Sequence, residues 1–296
     1  MNVDTRKLSD VALDETRIAA ALTLSSEAHW NQTAEDWRML LQLGQGFGLV
    51  NGQGELVATA VALPFTGPCA WISMVLVTSA WQRRGLATHL MQRAIEAIES
   101  QGRIPMLDAT PAGRAVYREL GFMDGWSFAR WSAVEPVVPD STAMAALPAG
   151  TKLRPISAKD WEEIDALDQH ILGAARPRLL RELAQRQPQF AWVVERNGKM
   201  QGFLLGRNGC NASQLGPLAA NDEATACALL AAGLGATSGP VYIDALDAHP
   251  ALLELLRRSG FVQQRPFTRM ARTAAGQAAS FGNPERYYAV AGPELA

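Results

Sequence analysis

The chain is poor in the residues that carry redox or metal chemistry. Its 296 residues include three cysteines and four histidines. Cys69, Cys210 and Cys227 lie far apart in sequence and show no metal-ligand spacing. Neither a disulfide framework nor a metal site is therefore expected, and each cysteine reads as a small buried hydrophobe in a reducing compartment. Charge is nearly balanced, with 27 Lys and Arg against 29 Asp and Glu and a formal net charge of −2. That balance gives no bulk electrostatic case for nucleic acid or a membrane surface as partner. No apolar run is long enough to cross a bilayer, and the first residues hold no apolar signal core, so a cytoplasmic location is expected. A Walker Gly-Lys-Ser/Thr and the glycine spacing of a Rossmann fingerprint are also missing. What remains has 48% hydrophobic and 19% charged residues, the balance of a globular protein with chain enough for two cores.

The most informative residues that are present are Gln82, Arg83, Arg84, Gly85, Leu86, Ala87 and Thr88. They follow an apolar run at 71–77 and lead into an amphipathic segment, which reads as strand, tight loop and helix N-terminus. Such a terminus presents unpaired N–H groups and the positive end of the helix dipole, both suited to phosphate oxygens. Gly85 and Ala87 let the backbone approach a ligand closely, and Arg83 and Arg84 add positive charge. An ordinary strand-to-helix turn with a solvated arginine pair is the competing reading of the same residues.

The chain repeats itself. Residues 107–130 align without a gap to 246–269, with ten identical positions of 24, among them Asp108 with Asp247, Gly121 and Phe122 with Gly260 and Phe261, and Arg130 with Arg269. Upstream, 48–63 reads as two alternating strands around a turn at 51–54, and 191–205 reads likewise around Asn197 and Gly198. Proline and small polar residues from 135 to 150 suggest an extended connector. The division expected is a catalytic unit at 1–140, a linker at 141–150 and a second unit at 151–296. Within the first, helices are expected over 13–25, 34–41, 86–100 and 112–120. Strands are expected at 47–50, 55–63, 70–77, 105–107 and 126–134. The end of the chain has a short strand-like centre expected to pack on a sheet edge.

The spacing Gln-x-x-Gly-x-Ala after an apolar strand resembles the acyl-CoA pyrophosphate loop of the GNAT (GCN5-related) N-acetyltransferases. The resemblance implies a mixed α/β fold, here two tandem units, each a twisted mixed sheet flanked by helices. It implies acetyl-CoA as co-substrate, no metal, and direct attack of a small-molecule amine on the thioester in a ternary complex. The loop amides would hold the pyrophosphate, and the main chain of Val75, Leu76 and Val77 would pair with the pantetheine arm. A backbone N–H there would face the thioester oxygen. Tyr117, five residues before Phe122 in a segment like the family's Gly-Phe segment, would protonate the departing thiolate, since a phenol holds its proton at neutral pH.

Acceptor contacts are expected at Trp30, Asn31, Asp36 and Trp37, in a break between helices, and at Asp108. The two tryptophans and Asp36 favour, slightly, a small cationic or aromatic-bearing amine. Thr33 with Glu35 and Asp36 also reads as a helix cap, with Trp37 in the core. The stretch from Trp30 to Trp37 is similar to that of a bacterial GNAT branch with a second acetyltransferase-like domain and a comparable tail. No base is assigned: the strand at 71–77 has no carboxylate, and Glu27, His29, Asp36 and Asp108 stay open as candidates. In the second copy the segment 216–225 is aligned with the loop. It lacks both arginines, carries Asp222 and Glu223, and Leu256 replaces Tyr117. The second unit is thus expected to be degenerate, serving as pocket wall, stabiliser or homodimer surface. An acyl-CoA sensor or scaffold without catalysis is the alternative function.

Overall fold

Paired turn residues set the strand registers on both sides of the repeat. Asn197 and Gly198 both adopt positive φ, as a two-residue hairpin turn requires, and join β8 (Trp192–Arg196) to β9 (Lys199–Arg207). In the first copy Asn51 closes the corresponding turn, its Oδ1 accepting from the Gln53 and Glu55 amides, each at 3.0 Å. This turn joins β2 (Gln45–Val50) to β3 (Leu56–Leu63). The computed structural model describes residues 8–139, 147–273 and 282–296. Residues 141–146 of the expected linker, and 274–281 ahead of the chain end, lie outside the described residues.

The chain divides into two compact units, Met1–Leu107 and Asp108–Ala296. The first holds a sheet in the order β1 (Ser9–Leu13), β2, β3, β4 (Cys69–Val77), β5 (Ile104–Ala109). The pairings from β1 to β4 are antiparallel, and β4 with β5 is parallel. Helices α1 (Ile18–Glu27), α2 (Ala34–Leu43) and α3 (Leu86–Glu99) flank it. All eight residues of β3 are buried, as a central strand covered on both faces demands. The expected helix from residue 13 is corrected. Residues 9–13 form a strand against β2, and Asp14 caps a short turn ahead of α1 by accepting from the Thr16 amide at 2.9 Å.

The second unit orders its strands β12 (Val262–Ala271), β6 (Met123–Ala133), β11 (Val241–Leu246), β13 (Tyr287–Val290), β10 (Ser213–Ala220), β9, β8, β7 (Thr151–Pro155). Its helices are α4 (Pro111–Glu119), α5 (Trp161–Leu172), α6 (Pro177–Arg186), α7 (Glu223–Gly235) and α8 (Pro250–Arg258). Strand β6, which ends the first copy in sequence, lies between β11 and β12 of the second. The repeat-related arginines show the same interleaving. Arg130 makes two bonds to Asp244, at 2.9 and 2.8 Å, and Arg269 makes two to Asp108, both at 3.0 Å. Each arginine thus pairs with an aspartate of the other copy. Packing therefore divides the chain at 107/108, whereas the sequence repeats about forty residues later. The expectation for the chain end is also corrected: β13 is no edge strand but pairs with both β10 and β11.

Candidate functional site

The expected cofactor residues 82–88 span the end of the 78–85 connection between β4 and α3 and the first turn of α3. A short turn, Ser79–Trp81, starts that connection, and the Glu27 carboxylate at the end of α1 secures the turn. Glu27 accepts from Thr78 Oγ1 at 2.7 Å and from the Ser79 amide at 2.8 Å. Those bonds from Ser79 and Thr78 hold the Glu27 carboxyl below its ordinary pKa, which makes it a weak base. Gln82 donates to the Val77 carbonyl at 3.2 Å, and Arg84 donates to the Ala80 carbonyl at 3.0 Å while lying over the Trp81 ring. Gln82, Arg83, Arg84 and Gly85 are exposed, whereas Leu86 is buried and anchors the helix below them.

Gly85 is the N-cap of α3. It takes the left-handed conformation, φ 79°, which an L residue adopts only at a cost, and no side chain caps the helix. The first-turn amides, those of Leu86, Ala87 and Thr88, accordingly end in an arginine-rimmed loop. His89 has turned to the surface, within 3.0 Å of Asp10, which also takes an ion pair from Arg93.

Strand β4 supplies the second component. It pairs with β5 only through residues 69–71, then runs on to Val77 without pairing to β5. A bulge opens in this free-running part, where Met74 has φ 52° and Thr59 Oγ1 donates to its carbonyl at 2.8 Å. Val75 and Val77 are half-buried and Leu76 is buried. Ser73 Oγ, just past the last β4–β5 pair, is buried with no hydrogen-bond partner among the described residues. An uncapped helix end, an unpaired strand edge and an orphaned hydroxyl fit an extended ligand that ends in phosphates.

The acceptor candidates separate. Asp36 is buried and closes a capping box with Thr33, accepting from the Thr33 amide at 2.9 Å and donating its own amide to Thr33 Oγ1. Trp37 is fully buried and donates Nε1 to Ser25 Oγ at 3.1 Å, so it braces α2 against α1. Asn31 is buried and Trp30 half-buried, at the break between the two helices. Asp108 lies in the second compact unit and gives both oxygens to Arg269, with neither side chain more than 1% exposed. Burial pushes its pKa up, and Arg269 opposes that shift.

Tyr117, also in the second unit, stands on α4. Thr110 caps this helix through the Gly113 amide, and Pro111 occupies its first turn. The tyrosine ring meets Phe122 with centroids 6.1 Å apart, and burial pushes the phenol up to about 12. Gly113 makes room for this ring, because a Cβ there would stand 2.9 Å from Tyr117 Cε2. Composition alone did not disclose Gly113, although a glycine four residues before a tyrosine in a helix is the signal that could have done so.

The second copy differs more deeply than the sequence alignment implied. Residues 216–220 belong to β10, not to a loop, and only Asn221 and Asp222 separate β10 from α7. Asp222 caps α7, accepting from the Thr225 amide at 2.7 Å. A carboxylate thus takes the place that is open at α3. Among the described residues, no helix is long and apolar enough to cross a membrane.

Two family models match the chain: an acetyltransferase (GNAT) family over residues 12–122 and an acetyltransferase (GNAT) domain over 164–280. The sequence is 24% identical to a holothin acyltransferase of Pseudoalteromonas, over 85% of this chain and 81% of that protein. A crystal structure described as a putative acetyltransferase from Pyrococcus horikoshii matches with TM-score 0.77 and 18% identity, over 100% of this chain and 98% of the other. A tandem GNAT protein from the clavulanic acid biosynthesis pathway matches with TM-score 0.65 and 16% identity, over 92% and 100%.

Proposed function

We propose that this chain, which belongs to the GNAT acetyltransferase family in both of its halves, transfers an acetyl group from acetyl-CoA to the amine of a small molecule. One observation carries the reading: of two related helices, α3 begins uncapped behind Gly85 and two arginines, while α7 begins under the Asp222 carboxylate. One helix end open to an anion and the other closed by a carboxylate support a single cofactor site in the first copy.

Bound acetyl-CoA would supply an activated thioester. The loop amides and Arg83 and Arg84 would hold its phosphates, and the main chain of Val75, Leu76 and Val77 would hold its arm and face the carbonyl. As the C–N bond forms and the C–S bond breaks, Tyr117 would give its proton to the sulfur, and the phenolate would regain one from solvent. Its raised pKa keeps that proton in place at neutral pH. The first-copy carboxylates once open as bases are otherwise engaged: Glu27 secures the loop, Asp36 caps α2, and Asp108 pairs with Arg269. That leaves the exposed His29 or water to receive the amine proton, which favours an acceptor that is largely neutral at the working pH. Trp30 and Asn31 are the acceptor contacts, with Asp36 and Trp37 fixing the break that presents them.

The test is a panel of amines mixed with protein and acetyl-CoA, with thiol release followed against time. Amine-dependent release that falls at least tenfold in Tyr117→Phe, with acetyl-CoA affinity kept, supports the reading. The engaged carboxylates also suit a sensor that binds acyl-CoA and does no chemistry. Binding without release for any amine, unchanged in Tyr117→Phe, would establish that second reading.

A further inference from the structure

The second unit holds an extended segment where the first, among the described residues, leaves a strand edge unpaired. Strands β10 and β11 pair in parallel over Ser213, Gln214 and Leu215, then diverge. Into the gap comes β13, with Leu218 opposite Ala289 on one side and Asp244 opposite Val290 on the other. In the first unit β4 and β5 likewise pair in parallel over three residues and then part. Both long strands are bulged at this point, β4 at Met74 and β10 at Gly216 and Pro217. Pro217 has no amide hydrogen to donate there.

The segment is held at every level. Tyr287, Ala289, Val290 and Ala291 are fully buried. Arg176, locked by two 2.9 Å bonds to Asp168, donates to the Leu295 carbonyl at 2.6 Å and to the Tyr287 hydroxyl at 3.1 Å. Arg207 pairs with Glu294, and His249 Nε2 lies 2.9 Å from the Tyr287 carbonyl oxygen. Gly216 allows close approach: a Cβ there would fall inside contact with the Val290 carbonyl oxygen.

We propose that β13 is a built-in occupant of the second copy's ligand cleft, seated where an acyl carrier would otherwise lie, so that one chain takes up one acyl-CoA. This rests on the reading of the first copy as an acetyl-CoA site. The comparison of the two clefts comes from this chain's own repeat: the same divergence of strands is filled by a peptide in one copy and left to a ligand in the other. A peptide edge and an amide-bearing carrier arm compete for the same main-chain donors and acceptors.

Hydrogen exchange on the full-length protein, with and without saturating acetyl-CoA, tests this, together with native mass spectrometry for stoichiometry. Without ligand, amides of 287–290 should exchange about 10³-fold or more slower than unstructured chain, like those of β10 and β11. With acetyl-CoA, protection should rise over 73–77 and stay unchanged over 216–220 and 287–290, with one molecule bound. Gly216→Ala should speed exchange over 287–290 at least tenfold while leaving 73–77 responsive to acetyl-CoA. Fast exchange over 287–290 in the free wild-type protein overturns the proposal whatever acetyl-CoA does. So does a second bound molecule, or acetyl-CoA loosening 287–290. If acetyl-CoA binds nowhere, the reading of the first copy fails, and exchange over 287–290 in the wild type and in Gly216→Ala still decides this one.

Discussion

Replacing Arg269 with Met tests what Asp108 is for. The two side chains are 1% and 0% exposed and share two hydrogen bonds of 3.0 Å. Removing the guanidinium strands a carboxylate without water, which costs about 3–5 kcal/mol. The arginine also lies 4.1 Å over the Trp126 ring, a contact worth up to ~2 kcal/mol when desolvated and not additive with the first loss. At about 2–4 °C per kcal/mol for a chain of this size, the melting temperature should fall roughly 6–20 °C. Urea unfolding followed by tryptophan fluorescence gives the free energy, with the slope checked for two-state behaviour. With Arg269 gone, nothing offsets burial, and the Asp244 and Glu294 charges push the same way, so the Asp108 pKa rises further. A raised folded-state pKa favours folding at low pH, so the variant's deficit should shrink as pH falls from neutral into the carboxylate range. The double variant Asp108→Leu, Arg269→Met should recover most of the loss, because an apolar pair leaves no stranded charge. A single variant within about 1 kcal/mol of wild type would refute the structural role. So would Asp108→Asn raising the acceptor KM with stability unchanged, and that result would return Asp108 to the acceptor site.

Three further outcomes are expected. Charge reversal at Arg83 should weaken acetyl-CoA binding about tenfold or more by calorimetry, with stability changed by under about 0.5 kcal/mol because the side chain is exposed; unchanged affinity would move the phosphates elsewhere. Gly113→Ala should leave acetyl-CoA affinity intact and lower turnover about 10–100-fold by displacing the Tyr117 ring, and adding it to Tyr117→Phe should cost nothing more; full turnover in the single variant would separate Tyr117 from the chemistry. Asp124, held down to about 2 by hydrogen bonds from Arg114 and Arg118, contributes stability that is present above the ordinary aspartate pKa and lost as pH falls from about 4 to about 2. Asp124→Asn should flatten that part of the stability–pH curve, and an unchanged slope would discount the pair.

Local signals made some of this molecule legible in its sequence and hid the rest. The start of α3 was readable because Gly85 and its neighbours determine the turn by their own conformations, and the hairpin at Asn197 and Gly198 for the same reason. The gapless repeat at 107–130 and 246–269 carries α4 onto α8 and β6 onto β12. Strand β1 is not legible in the sequence because five residues with weak alternation become a strand only through distant pairing with β2. The interleaving of β6 with β11 and β12 was out of reach for the same reason. Trp37 was ambiguous: a tryptophan beside an acidic cap fits a pocket wall and a core equally, and burial alone settles it. The second-copy loop escapes sequence alignment because the gapless offset fails upstream, where eight residues at 78–85 correspond to two at 221–222.

The short loop, the capping aspartate and the inserted strand of the second copy are connected by one physical requirement. Two strands that diverge inside a sheet expose main-chain donors and acceptors, and those need partners or water. In the first copy an extended ligand can supply them, and the same ligand's phosphates can satisfy the amides at the start of α3. A copy without such a ligand must satisfy both sets from its own chain. Tyr287–Val290 does so for the cleft, with partners on β10 and β11. Asp222 does so for the helix end, and with the anion supplied by a side chain no arginine-bearing loop is needed. Restoring the loop alone would therefore leave the cleft filled, and vacating the cleft alone would leave the helix end capped. The second copy keeps the fold because each function of the ligand has a residue in its place.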